Sequence, residues 1–350
     1  MRERLILGAI AVATLTAGAL HYAGAGSVVT FVVAGIALGG LAWAIGSGTE
    51  IVGGYFGPAI TSVLQTTLGN LPELFVVLFA LSAGEIVVAQ FSIIGSLFAN
   101  ALLVLGLVIV AGSTVGEGGL MRFGARLPND TATLLLMAVF IIVLLGLSAQ
   151  SGDRASHHAV AISIIGAACL LGVYGAWLWS YLRMPASAET EDVASEEVAH
   201  SLRFGIALLV ASGAGAALVS DWFVAALDPA VRAIGISKAF TGLVVVAIAG
   251  NAVENIVGVT LAAKGRSNFA VSLVKNSVSQ IAVFLFPVLV LLSLFFDPSL
   301  TFVLDPIWIG ALTITALAVW QITGDGEAAL FEGLTLISLY VILATVAWFE

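Results

Sequence analysis

The chain has 350 residues, of which 60% are hydrophobic and only 9% charged, and its mean hydropathy is +1.13. A soluble domain carries roughly 25% charged residues, so this composition excludes one and describes a chain that is nearly all membrane. The formal net charge of −9 comes mostly from loop acids and indicates no acidic, basic or nucleic-acid partner, and the single cysteine, Cys169, excludes an intrachain disulfide.

Long apolar runs, rather than short alternating segments, predict helices instead of an outer-membrane barrel. Eleven spans follow in chain order: about 4–21, 28–46, 51–83, 86–112, 130–148, 158–181, 202–220, 237–263, 267–296, 306–321 and 331–349. Each approaches or exceeds the ~20 apolar residues that cross a bilayer. The first, with Arg2 and Arg4 before it and small residues near 23–26, also has the outline of a signal peptide. It is long for that role and is read as a retained helix. The span 51–83 is too long for one straight helix. Pro72 cannot donate to the carbonyl of Leu68, so a kink or break is predicted there, and Pro287 frees the carbonyl of Val283 in the same way.

The 38 glycines suit close helix packing. With the N-terminus inside, Arg2, Arg4, Arg122, Arg126, Arg183, Arg203, Lys264 and Arg266 lie on the inner side. Only Arg154, Arg232 and Lys238 lie outside, which satisfies the positive-inside rule. Lys275, the remaining basic residue, falls within a span and is expected to snorkel to the interface, the alternative being a fixed charge that tunes a site. His21, His157, His158 and His200 fall in loops or at span ends and are expected to face water; Glu50 and Asp221 are expected at the mouths.

Two stretches match at a constant offset, Gly69 onto Gly250, without a gap. Gly69-Asn70-Leu71-Pro72-Glu73 is followed by Ser96, and Gly250-Asn251-Ala252-Val253-Glu254 is followed by Ser277, each serine at the same spacing from its glutamate. A charge at mid-membrane is costly, so an intramembrane carboxylate is a functional hypothesis by default. The match divides the chain into an extra N-terminal helix (1–27), a first five-helix repeat (28–183), an acidic cytoplasmic linker (184–201) and a second five-helix repeat (202–350). Five spans per repeat is an odd number, so the second repeat is inverted, and such pairs build mid-membrane sites for alternating access. The linker holds Glu189, Glu191, Asp192, Glu196 and Glu197 and reads either as a solvated connector or as a cation-attracting helix at the entrance.

Asn and Glu three residues apart share a helix face, so Asn70 with Glu73 and Asn251 with Glu254 each present an amide and a carboxylate together. Ser96 with Asn100 and Ser277 with Gln280 supply two further polar faces. This all-oxygen set suits a hard cation such as calcium and lacks the Cys and His that zinc or copper would recruit. Two carboxylates balance one divalent ion. When the ion leaves, desolvation and mutual repulsion oppose two bare carboxylates, so protons replace it and exchange follows.

The chain resembles the calcium/cation antiporter superfamily, within the cation/proton exchanger family, over about residues 28–350. Four segments carry the resemblance. They are Gly69 to Leu74, Gly95 to Asn100 leading into Leu102 to Gly106, Phe240 to Glu254 followed by Gln280-Ile281 and Pro287, and Asp325-Gly326 with Glu332-Gly333 and Tyr340. The resemblance implies that Glu73 and Glu254 bind the cation, aided by Asn70, Asn251, Ser96, Ser277 and Gln280, and that spans 28–46 and 202–220 slide as a gating pair. It implies Ca2+ (or a related cation) and protons as substrates, no cofactor, and a place in a bacterial plasma membrane; it leaves open whether the chain forms a homo-oligomer. Glu50, ahead of Gly53-Gly54, resembles a secondary cation contact. The chain departs from the family where Asn255 replaces the His after the second glutamate, where Asn276 replaces the Gly before Ser277, and where Asn268 replaces an acid. Rival readings are sodium-coupled exchange on the same fold, a channel and an intramembrane enzyme. The sequence holds no His-Glu-x-x-His, Gly-x-Ser-x-Gly or Gly-x-Gly-Asp motif that would support the last.

Overall fold

The computed structural model describes residues 2–56, 64, 67–182 and 200–350; the side chains of residues 2, 126, 127, 181, 182 and 252–254 are outside that description. The linker acids, from Glu189 to Glu197, and the side chain of Glu254 therefore lie outside the described residues.

Helices dominate. They are α1 (Arg2–Tyr22), α2 (Ser27–Gly53), α3 (Leu71–Ser82), α4 (Ile86–Val115), α5 (Arg126–Ser151), α6 (Ala159–Leu182), α7 (Leu202–Ile234), α8 (Lys238–Gly250), α9 (Ala252–Ala263), α10 (Ser267–Phe295), α11 (Pro306–Thr323) and α12 (Leu330–Phe349). Among the described residues, nine helices are long and apolar enough to cross a membrane, and the bent pair α8–α9 makes a tenth. α3 supplies the far part of the remaining span, giving the layout of one helix plus two sets of five. A short ribbon interrupts the helical pattern: Leu120–Arg122 (β1) pairs antiparallel with Glu327–Ala329 (β2), Met121 opposite Ala328.

The chain forms two compact units: Met1–Ser92 with Leu178–Val253, and Ile93–Trp177 with Glu254–Glu350. In the first, α7 lies along α2, and both α1 and α3 pack on this pair. Phe31 stacks on Phe223 with ring centroids 4.5 Å apart, tying α2 to α7. In the second, α5 packs on α10 and α11, and α12 packs on α4. Here two glycines set the spacing. A Cβ at Gly106 would lie 2.7 Å from the Gly333 carbonyl oxygen, and one at Gly333 would lie 2.7 Å from that of Gly106. Neither position admits a side chain, so α4 and α12 meet backbone to backbone.

One of the predicted breaks is present. Pro72 lies in the first turn of α3, and the residue before that helix, Asn70, has left helical geometry (φ −86°, ψ 7°). Pro287 acts differently. α10 does not break but passes through a π-helical turn, Ile281–Leu285, just before it. The extra residue in such a turn absorbs the missing N–H and the ring clash. A second π-turn, Ala99–Val104, interrupts α4. The offset that aligns the two motifs also carries 99–104 onto 280–285, so the repeat recurs in backbone geometry as well as in sequence.

Three expectations are corrected. α7 does not end at 220 but continues to Ile234, a helix of 33 residues, or about 50 Å, against a hydrocarbon core of about 30 Å. The polar residues from Asp221 onward lowered the hydropathy without ending the helix, so Asp221 lies mid-helix and exposed. Lys275 does not snorkel. It is 2% exposed, and its Nζ donates to Thr323 Oγ1 at 3.2 Å. His200 is half-buried, with Nε2 2.9 Å from Glu3 Oε2, rather than simply facing water.

Candidate cation site

In the first unit, the repeated motifs place two asparagines at two helix breaks. Asn70 precedes α3, and Asn251 (φ −98°, ψ 21°) separates α8 from α9. Both are buried. Glu73 falls in the first turn of α3, where unsatisfied amide groups and the helix dipole favour negative charge. It is 3% exposed, so that electrostatic support compensates a desolvated carboxylate.

The motifs meet here. Asn251 Nδ2 donates to Glu73 Oε1 at 2.5 Å and also to the carbonyl oxygen of Ala247 at 2.8 Å. The bond to Ala247 fixes the amide orientation and directs the remaining proton at the carboxylate. The approach needs Gly250, because a Cβ there would lie 2.8 Å from Glu73 Cγ and 3.0 Å from Oε1. A narrow cavity beside Glu73 is lined by Pro72, Val246 and Gly250 and by Leu38 of α2 and Phe223 of α7. The α2–α7 pair thus sets apolar side chains beside the acid.

In the second unit, Ser96 and Asn100 are fully buried on α4, and Asn100 Nδ2 donates to the Ser96 carbonyl oxygen at 3.1 Å. On α10, Ser277 and Gln280 are buried. The Ser277 hydroxyl and the Gln280 side-chain oxygen Oε1 make no hydrogen bond among the described residues. Buried polar atoms are normally satisfied, so these two are candidates for a ligand. The first part of α10 packs against the π-turn of α4, bringing the two polar faces into one neighbourhood. Asn255 is half-buried, and its side-chain oxygen likewise lacks a partner among the described residues. Asn268, in place of the family's acid, accepts from the Gly124 amide at 2.7 Å and so holds the loop before α5. Glu50 is exposed in the last turn of α2.

The family profile described as "Sodium/calcium exchanger protein" matches residues 26–182 and 204–349. The chain belongs to the sodium/calcium exchanger protein family. This exchanger is 30% identical over 349 residues to a protein of Synechocystis named "Ca(2+)/H(+) antiporter", covering 95% of this chain and 94% of the relative. It is 31% identical over 328 residues to "Ca(2+)/H(+) antiporter ChaA" of Bacillus subtilis, covering 91% of each. The structure of native YfkE superposes with a TM-score of 0.83 at 27% identity, covering 99% of this chain and all of that one. The H+/Ca2+ exchanger CAX superposes with a TM-score of 0.76 at 15% identity, covering all of this chain and 93% of that one, a likeness of fold alone. The chain is therefore an integral, multi-pass transporter of the cation/proton exchanger group and not an enzyme.

Proposed function

We propose that this exchanger moves Ca2+ against protons by alternating access at one site built on Glu73 and Glu254. The observation that carries the reading is the hydrogen bond from Asn251 to Glu73, which joins the first motif to the second within a buried region. Relatives matched along nearly the whole chain bear the name Ca(2+)/H(+) antiporter. Glu73 and Glu254 supply the charge that balances a divalent ion. Asn70, Asn251, Ser96, Asn100, Ser277 and Gln280 supply neutral oxygens for the six to eight ligands that calcium takes. When the ion departs, protons neutralise the carboxylates in its place. The α2–α7 pair is the gate, since Leu38 and Phe223 line the cavity beside Glu73. The bias of basic residues supports an N-terminus and acidic linker in the cytoplasm, and the bacterial relatives support a bacterial plasma membrane.

The test is flux in proteoliposomes under an imposed pH gradient, with Ca2+, Na+ or K+ as the only exchangeable cation. Ca2+ uptake coupled to proton release supports the reading. Ca2+ movement that needs Na+ on the opposite side and ignores the pH gradient would replace it with sodium-coupled exchange.

A further inference from the structure

Lys238, the first residue of α8, is held at the junction of three elements. Its Nζ lies 2.9 and 2.7 Å from the two carboxylate oxygens of Glu85 and 2.9 Å from Asp228 Oδ1. Asp228 is also held by Arg232, whose Nη2 lies 2.7 Å from Oδ2. Glu85 ends the tight turn between α3 and α4, in which Gly84 takes a positive φ of 75°. The position of Lys238 is set in turn by Ser237, whose hydroxyl accepts from the Phe240 amide at 2.8 Å and caps α8. The side chains of Glu85 and Asp228 are 19% and 28% exposed, so solvent screens the cluster only in part.

The arrangement is selective about what it joins. Asp228 and Arg232 belong to the last turns of α7. Glu85 stands just beyond α3, which carries Glu73, and Lys238 opens α8, which ends next to Asn251. One ammonium therefore ties the end of α7 to both segments that bear the repeated motifs.

We propose that Glu85, Lys238 and Asp228 form a conformational latch, closed in this structure, whose opening accompanies each movement of α7 past α3 and α8. The proposal rests on the alternating-access reading. Helices that slide past one another shift by ångströms, at most by about one helical turn. Contacts of 2.7–2.9 Å to two carboxylates on different elements do not survive such a shift together. The latch thus weights one of the two states. Removal of the ammonium leaves Glu85 and Asp228 facing each other as like charges, which favours separation beyond the loss of the bonds.

The experiment uses the full chain in liposomes, with Cys169→Ala to remove the native thiol and spin labels on cysteines at Val87 and Ile234. Both positions are exposed and flank the cluster. Pulsed electron resonance should give two distances in the parent, and Lys238→Met should shift their ratio toward the longer by at least about threefold, as expected for a network of partly exposed ion pairs. Lys238→Arg, which keeps a cation between the two carboxylates, should restore the parent's ratio, which a merely folded or unfolded variant would not do. The apparent KM for Ca2+ should move with the ratio across the three proteins. A single unmoving distance, an unchanged ratio in Lys238→Met, or a Lys238→Arg protein that fails to keep the parent's ratio would overturn the latch. Absence of Ca2+-driven proton flux in the parent, with the ratio still shifting, would sink the exchange reading and leave the latch standing.

Discussion

Replacing Glu73 by Gln separates charge from shape. The side chain is 3% exposed and accepts from Asn251 Nδ2, and Gln retains a carbonyl oxygen for that bond. The fold should lose only the difference between a charge-assisted and a neutral hydrogen bond, about 1 kcal/mol. Ion binding should lose far more. Two unit charges about 4 Å apart in an effective dielectric of about 20 attract by ~4 kcal/mol, and a divalent ion doubles that. Allowing about half for the lower desolvation cost of the neutral side chain leaves ~4 kcal/mol, or roughly a thousandfold in affinity. Titration calorimetry with Ca2+ at about pH 8 reads the affinity, proteoliposome flux reads the transport, and thermal unfolding reports the fold. The repeat gives Glu254→Gln the same expectation. A Glu73→Gln protein that binds Ca2+ within threefold of the parent would refute the assignment. One that loses binding only because it no longer unfolds cooperatively would refute the expectation that the fold is kept.

Gly250→Ala should weaken Ca2+ affinity at least about tenfold, because its Cβ would lie 2.8 Å from Glu73 Cγ and force the carboxylate to move. Gly310→Ala, where nothing lies within 4 Å, is the control and should behave as the parent in the same calorimetric titration. Ca2+ affinity of the purified protein should fall steadily from about pH 8 to pH 5.5, since ion and protons compete for the same carboxylates; a flat profile would mean separate sites. Lys275→Met should raise the unfolding temperature by an amount equivalent to about 1 kcal/mol or more, because it removes a buried amine whose hydrogen bond, among the described residues, is to a neutral hydroxyl. Thr323 still donates to the Val319 carbonyl oxygen in that variant, so a fall in stability would show that the lysine is held by something else.

The sequence exposed what repeats and what is apolar. The matched Asn-x-x-Glu stretches and the two prolines located the candidate residues and the break before α3. The contact between Asn251 and Glu73 was not legible, because residues so far apart in the chain are joined by packing and not by periodicity. Lys275 was misread since its surroundings are as apolar as lipid, and nothing in a linear pattern distinguishes a protein interior from a bilayer edge. The extension of α7 was hidden by Asp221, Asp228, Pro229 and Arg232, which signal an exit from the membrane yet leave the helix intact. The β1–β2 ribbon escaped notice because its two strands are too short to carry a pattern.

The matched π-turns in α4 and α10 have a consequence for how these helices are set. An α-helix advances about 100° per residue, so a polar stripe and a packing stripe on one straight helix keep a fixed phase. An extra residue breaks that phase. In α4 the polar Ser96 and Asn100 lie at or before the turn, and Gly106, which meets α12, lies after it. In α10 Ser277 and Gln280 come before the turn, and Phe286, packed edge-on at 4.7 Å to Phe302, comes after it. Each helix can thus aim its polar end and anchor its apolar end at independent azimuths. Deleting a single residue from either turn would restore the α phase and swing the polar end by about 100° while leaving every side chain of the site in the sequence.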